Sequence, residues 1–295
     1  MADYVITSCS TADLSREHFE RIGIEIVYFH YFLDGVEYQD DLGQTRSYED
    51  FYSAMKNGSD TSSAQVSVGE YLEFFRPFLM SGKDVLHVTL SSGISGTYNS
   101  AVTAASMAEE EFPERRVIVV DSQAASSGFG MLIDKAAELR DAGYSLDELH
   151  DWLESNKHYL HHWFFTTDLK WFIKGGRVSK VTGVVGGLLS ICPLLHVSYD
   201  GKLEPVYNVR TKRRVIEKMV DMMAENARGG TDYDDKCYLC HSACLDDVMA
   251  VVKLIKERFP KLTDDKFCIN SIGTTIGSHT GPGTVAVFFW SDKER

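Results

Sequence analysis

The sequence predicts an α/β protein of two domains. Residues 1–160 form an N-terminal three-layer domain on a mainly parallel sheet, and residues 161–295 a C-terminal two-layer domain on a mixed sheet. Three observations carry this reading. In the first half, short apolar runs alternate with helical patterns, as parallel strands covered on both faces require. In the second half, the hairpin signal Asp200-Gly201 stands among helices, which asks for antiparallel pairing with helices on one face. Finally, 295 residues, 44% of them hydrophobic, are too many for one small core and enough for two.

The elements follow in order. Residues 4–7 read as a strand, and Ser15 caps a short helix. Residues 24–33 form a second apolar run, turned back by Asp34-Gly35. Ser47 with Asp50 opens a helix that stops at Gly58; Ser67 with Glu70 is a capping box whose helix should stop or kink near Pro77. Strands at 84–90 and 116–120 are each followed by a helix, 96–110 and 127–141. A second capping box, Ser145 with Glu148, starts a helix to Asn156. Beyond a boundary at 157–160, strands are expected at 163–167, 194–199, 203–207, 237–242, 266–271 and 284–290. Helices are expected at 168–173, 211–227 and 245–259.

The totals exclude several classes. A net charge of -13 makes nucleic acid and anionic lipid surfaces poor partners for the whole molecule. The N-terminus has no basic, apolar leader, and six scattered cysteines read as reduced thiols, so the expected location is the cytoplasm. The uncharged stretch 181–199 contains Pro193 and several glycines, which argues for a buried helix running into a strand and against a membrane span.

Four segments offer chemistry. The turn Ser91-Ser92-Gly93-Ile94-Ser95-Gly96-Thr97 follows a strand and opens a helix, where free N–H groups and the helix dipole favour an anion. Gly93 and Gly96 would let a ligand approach the backbone, and Ser95 and Thr97 add hydroxyls. Ordinary capping of a βα turn explains the same residues without a ligand. The polar run 60–65 precedes the Ser67 cap, and 277–283, with His279, reads as a tight glycine turn into the last strand. The fourth, Lys174-Gly175-Gly176-Arg177, joins Lys170, Arg210, Lys212, Arg213 and Arg214 as a basic exception, either a solvated face or a docking surface for an acidic partner or phosphate.

Other motifs are set aside. Cys237-Tyr238-Leu239-Cys240-His241 matches a haem-attachment pattern but falls on an expected buried strand. Adding Cys244 would suggest zinc, except that alternate strand residues face opposite ways. His158, His161 and His162 straddle a helix end and a strand start and are expected at the surface.

Together these segments resemble the DegV family over nearly the whole chain. The markers are Cys9-Ser10-Thr11-Ala12-Asp13-Leu14, Ser63-Ala64-Gln65-Val66-Ser67, the Ser91 to Tyr98 turn, Val120-Asp121-Ser122, Lys174-Gly175-Gly176-Arg177-Val178-Ser179, Asp200-Gly201, Val209-Arg210-Thr211 and the 277–283 turn. The resemblance implies a two-domain fold with a long-chain fatty acid between the domains and no other cofactor. It implies a non-enzymatic carrier that presents the acyl carboxylate to a separate ATP-dependent fatty acid kinase subunit. By similarity, Ser95, Gly96 and Ser63 would bind the carboxylate, with His279 nearby and Ser62 helping through water, and Arg177 and Arg210 would engage the kinase. Transient membrane contact would load the lipid. The uncharged 181–197 stretch, Phe164, Phe165 and Ile173 are candidate walls for the tail.

Several residues depart from the family pattern. Cys9 stands where the family usually has Asp, Ser63 replaces Thr, Ala64 and Val66 replace Ser and Pro, and Cys192 replaces a common Lys. The hydroxyl at Ser63 is kept. Two other readings compete: a serine hydrolase using Ser95 and His279, for which no orienting acid can be assigned, and a phosphate binder, for which no P-loop or dinucleotide fingerprint is present.

Overall fold

The computed structural model describes residues 4–178 and 191–295. Most of the uncharged stretch, 181–190, therefore lies outside the described residues. Strand β1 (Tyr4–Cys9) leads to helix α1 (Arg16–Ile22), capped where the Ser15 hydroxyl accepts the His18 N–H at 3.1 Å. The apolar run 24–33 is two strands. β2 (Glu25–Val27) pairs with β1, whereas β3 (His30–Leu33) turns through Asp34-Gly35 into β4 (Val36–Gln39). After α2 (Tyr48–Lys56), β5 (Thr61–Ala64) pairs antiparallel with β3, where the sequence shows only a polar run. Helix α3 (Val68–Met80) opens on the complete Ser67–Glu70 capping box and continues past Pro77 to Met80, because buried Leu79 anchors its last turn.

Then come β6 (Asp84–Thr89), α4 (Thr97–Glu111), β7 (Val117–Asp121), α5 (Ser127–Asp141) and α6 (Leu146–Asn156). The first sheet has the order β2-β1-β6-β7 and is parallel throughout. Every residue of β6 after Asp84 is buried, as expected for a central strand covered on both faces.

The second half contributes β8 (Leu160–Thr166), α7 (Lys170–Gly175), β9 (Ile191–Val197), β10 (Leu203–Arg210) and α8 (Lys212–Asn226). It ends with β11 (Cys237–His241), α9 (Leu245–Arg258), β12 (Phe267–Ser271), α10 (Thr274–Thr280) and β13 (Thr284–Trp290). Its sheet runs β10-β9-β8-β13-β11-β12, with only β11 and β12 parallel. Pro193 sits just beyond Leu194, the last β9 residue paired with β8, where its missing N–H is tolerated.

Helix α5 ties the halves together. It contacts β1 of the first sheet and β8, β11 and β13 of the second. Two glycines permit this approach. A Cβ on Gly128 would lie 2.1 Å from the His162 ring, and one on Gly130 would lie 2.7 Å from the Ala12 carbonyl. This also corrects the reading of the histidines: His161 and His162 are buried because β8 is a central strand with both faces covered, and His158, in the turn before it, is buried beneath the stacked ring of Tyr199.

The Asp34-Gly35 hairpin was expected, but not that β5 joins it to make a small antiparallel sheet, β4-β3-β5. Its core joins Tyr31, Leu33, Phe51, Tyr52 and Met55 to Trp171 of α7. The expected turn at 277–283 is instead α10 followed by a Gly281–Gly283 turn. Low-propensity residues become helical there because the Asp40 carboxylate accepts the Thr274 hydroxyl at 2.8 Å and the Thr275 N–H at 3.3 Å.

Candidate functional site

Four pieces of backbone meet at one end of a cavity of about 620 Å³. The β6–α4 turn brings Ser95 and Gly96, β5 brings Ser63, α10 brings His279, and the segment after α7 brings Arg177. The walls behind them include Phe29, Leu90, Phe164, Phe172, Val197 and Phe288. The volume and the mix of apolar walls with few polar groups are those of a small-molecule site.

The Ser63 hydroxyl and His279 Nε2 are 2.7 Å apart. Burial, and next the nearby Arg177 charge, hold the His279 imidazole down to about 4, so it is neutral at pH 7. Its Nδ1 is buried and forms no closed hydrogen bond among the described residues, and no carboxylate is paired with it. Arg177 donates through Nη1 to the Gly175 carbonyl at 2.6 Å and points Nε at the Ile94 carbonyl at 3.5 Å. Among the described lining residues it is the one permanent charge. The cavity therefore has a cationic mouth in a protein of net charge -13.

Ser95 caps its own turn: its hydroxyl accepts the Thr97 N–H at 3.2 Å. The glycines of this turn serve the fold first. A Cβ on Gly93 would lie 2.6 Å from the Asp200 carbonyl, and one on Gly96 would lie 2.6 Å from Gln65 Oε1. Ser91 donates to the Gly201 carbonyl at 2.8 Å, so the tip of the β9–β10 hairpin clasps the β6–α4 turn. Beneath, Tyr71 and Thr97 hydroxyls are 2.7 Å apart, and the Cys9 thiol lies 3.4 Å from Tyr71. Burial pushes that thiol up to about 12, so Cys9 is a packing group and not a nucleophile.

Not every expected residue arrives. Ser62 is exposed and does not line the cavity, because the strand alternation that turns Ser63 inward turns Ser62 outward. Phe164 and Val197 are walls, but Phe165 lies on the opposite face of β8 and Ile173 is exposed, with Phe172 in its place. Arg210 lies at the far end of β10 from Leu203, the bridge partner of Val178 beside Arg177. At about 3.3 Å per residue the two arginines are roughly 20 Å apart. Arg210 has no ion-pair partner among the described residues and shares a shallow groove with Tyr207, Arg214 and Lys218. Elsewhere in the basic exception, charges are spent locally: Lys174 pairs with Asp60, Lys212 with Asp247 and Arg213 with Glu217.

Sequence reasoning passed over two lining residues, Gln65 and His162, and placed a third, Arg177, at a docking surface. Gln65, bonded to Ser100 at 2.9 Å, stood out only within a polar run and a family marker, with no role given to it. Arg177, expected to engage a partner, is exposed and also lines the mouth. His162 faces the interior. A hydrolase would need His279 to serve Ser95; the structure pairs it with Ser63.

Fold and site define a two-domain α/β protein with a largely apolar cavity and a polar, cationic mouth. The chain belongs to the DegV family: the family model described as "Uncharacterised protein, DegV family" matches residues 4–292. A DegV domain-containing protein of Clostridium perfringens is 32% identical over 295 residues, covering 100% of both chains. Among solved structures, a DegV lipid binding protein from Thermotoga maritima is 26% identical and superposes with a TM-score of 0.84 over 100% of each chain. A DegV family protein from Thermus thermophilus, described by its fatty acid binding, is 27% identical with a TM-score of 0.84, covering 98% of this chain and 99% of its own. No helix among the described residues is long and apolar enough to cross a membrane.

Proposed function

We propose that this protein is a fatty-acid carrier. A long-chain fatty acid lies in the cavity with its carboxylate at Ser63, Ser95, the Gly96 backbone and His279, near the Arg177 charge. The observation that carries the reading is the cationic, hydroxyl-lined mouth on an apolar cavity of about 620 Å³. Each buried CH₂ contributes about 0.8 kcal/mol, and each hydrogen bond to a charged head about 1.5–3 kcal/mol. Tail and head therefore both count, and the neutral His279 can relay one N–H through Ser63 to the carboxylate. The fatty acid binding described for the Thermus thermophilus relative, and for a second Thermotoga maritima protein of 26% identity, supports this.

We further propose that the protein does no chemistry on the acid itself. It presents the carboxylate to an ATP-dependent kinase subunit for acyl-phosphate formation, with Arg177 beside the head group and Arg210 on the surface as contacts. Both line exposed ground, and Arg210 is free to meet an acidic partner. The test is calorimetric titration of the delipidated protein with hexadecanoic acid, followed by ATP and the kinase subunit. Stoichiometric binding without turnover, then acyl phosphate only with the kinase, is expected. Ester hydrolysis abolished by Ser95→Ala would replace this reading with the hydrolase.

A further inference from the structure

The helix that carries His279 does not stand by itself. Helix α10 has seven residues, three of them threonine with a glycine and a serine beside them, all poor helix formers. A helix this short is unstable alone. Its start is held by two buried carboxyl groups, Asp13 and Asp40. Asp13 Oδ1 accepts the Gly273 N–H at 2.9 Å. Asp40 accepts the Thr274 hydroxyl at 2.8 Å and the Thr275 N–H at 3.3 Å.

This arrangement is costly. A carboxylate buried without a cation loses its hydration and gains no ion pair in return. The groups that act on Asp13 are the Ser126 hydroxyl, Asp40 and the Gly273 N–H, and those on Asp40 are Thr274 and Thr275, with no basic side chain among them. Burial pushes both carboxyls up, Asp13 well above the usual carboxylate range. A serine or threonine would cap a helix start without that cost. What a carboxyl adds is a second oxygen, so that one side chain can tie two segments together.

Asp13 does this across the cavity. Its other oxygen accepts the Ser126 hydroxyl, and Ser126 lines the cavity at the start of α5. Ser126 has φ 55° and ψ -150°, a backbone conformation kept almost entirely for glycine, so the bond holds a strained residue in place. One side chain thus anchors a wall of the cavity and the start of the His279 helix.

His279 lies five residues beyond Thr274, about 7.5 Å along the helix. Its Nε2 is 2.7 Å from the Ser63 hydroxyl, and a displacement of about 1 Å at the helix start would take the pair out of hydrogen-bond reach. We propose that Asp13 and Asp40 are positioning residues of the head-group site: by clamping the start of α10 they fix His279 against Ser63. Neither lines the cavity, so both act through the helix. The inference rests on the fatty-acid reading above.

The test titrates hexadecanoic acid and its methyl ester against the wild type, Thr274→Val, Asp13→Ala and Asp13→Asn. Thr274 is buried and does not line the cavity, and valine keeps its shape while removing the hydroxyl that Asp40 accepts. Thr274→Val should weaken acid binding about fivefold and Asp13→Ala about tenfold, part or all of one hydrogen bond to the head group, with the ester changed less than about twofold. Asp13→Asn keeps an acceptor for Gly273 and a partner for Ser126, and should bind the acid within about threefold of the wild type. A role confined to folding would weaken acid and ester alike, or neither, and either result overturns the inference. So does Asp13→Asn binding the acid as weakly as Asp13→Ala. Thr274→Val carries the comparison if Asp13→Ala does not fold. A wild type that binds neither ligand overturns the fatty-acid reading and this one with it.

Discussion

Ser63→Ala probes the head-group site most sharply. In the structure the hydroxyl is 2.7 Å from His279 Nε2 and faces the cavity. Removing it deletes one hydrogen bond to a charged carboxylate, worth about 1.5–3 kcal/mol, while leaving the walls untouched. The dissociation constant for hexadecanoic acid should rise roughly 10- to 150-fold. The methyl ester of the same acid carries the same tail and no charge, so its affinity should change far less. Isothermal titration of both ligands against both proteins makes the comparison, with the melting temperature as a check on folding. If acid and ester weaken equally, the substitution has altered the tail site; if neither weakens, Ser63 does not hold the carboxylate.

Three further outcomes are expected. Gly93→Ala, whose Cβ would sit 2.6 Å from the Asp200 carbonyl, should cost roughly 2–4 kcal/mol in denaturant unfolding, whereas Gly69→Ala in α3, with open space around it, should gain about 0.5–1 kcal/mol. Equal effects would mean the hairpin does not clasp the turn. For pH, His279 titrates near 6.5 when unfolded and near 4 when folded, so its contribution is intact above 6.5 and is lost as pH falls toward 4. The stability lost between pH 6.5 and about 5 should be roughly 2 kcal/mol smaller in His279→Gln than in the wild type; an unchanged loss would refute the buried, neutral assignment. Arg210→Glu should weaken association with the kinase subunit several-fold and leave the fatty-acid affinity within twofold, measured by surface plasmon resonance and titration; loss of both, or of neither, removes Arg210 from the docking surface.

Local chemistry was legible in the sequence, and contacts made at a distance were not. The Ser67–Glu70 and Ser145–Glu148 boxes, the Asp34-Gly35 and Asp200-Gly201 turns and the limits of α5 are decided by residues a few positions apart, and they read correctly. Strand β5 has no apolar alternation to announce it; it is a strand because β3 pairs with it, and that pairing decides that Ser63 and not Ser62 turns inward. Helix α10 owes its form to Asp40, more than 230 residues away in the chain. His161 and His162, between a helix end and a strand start, looked like surface residues, yet β8 sits in mid-sheet. The glycines of the Ser95 turn were read as room for a ligand, while Gly93 and Gly96 are pressed by Asp200 and Gln65. Arg177 illustrates the same limit: its charge was visible, but its place at the mouth depends on the β6–α4 turn, whose Ile94 carbonyl its Nε faces.

The central claim is that the cavity behind Ser63, Ser95 and His279 holds a fatty acid. The direct measurement is mass spectrometry of the organic extract of the denatured, purified protein, with titration of the delipidated protein alongside. The account predicts a long-chain fatty acid at close to one per chain, and saturable rebinding after its removal. An extract without lipid, from a protein that also fails to bind added hexadecanoic or octadecanoic acid, would contradict it.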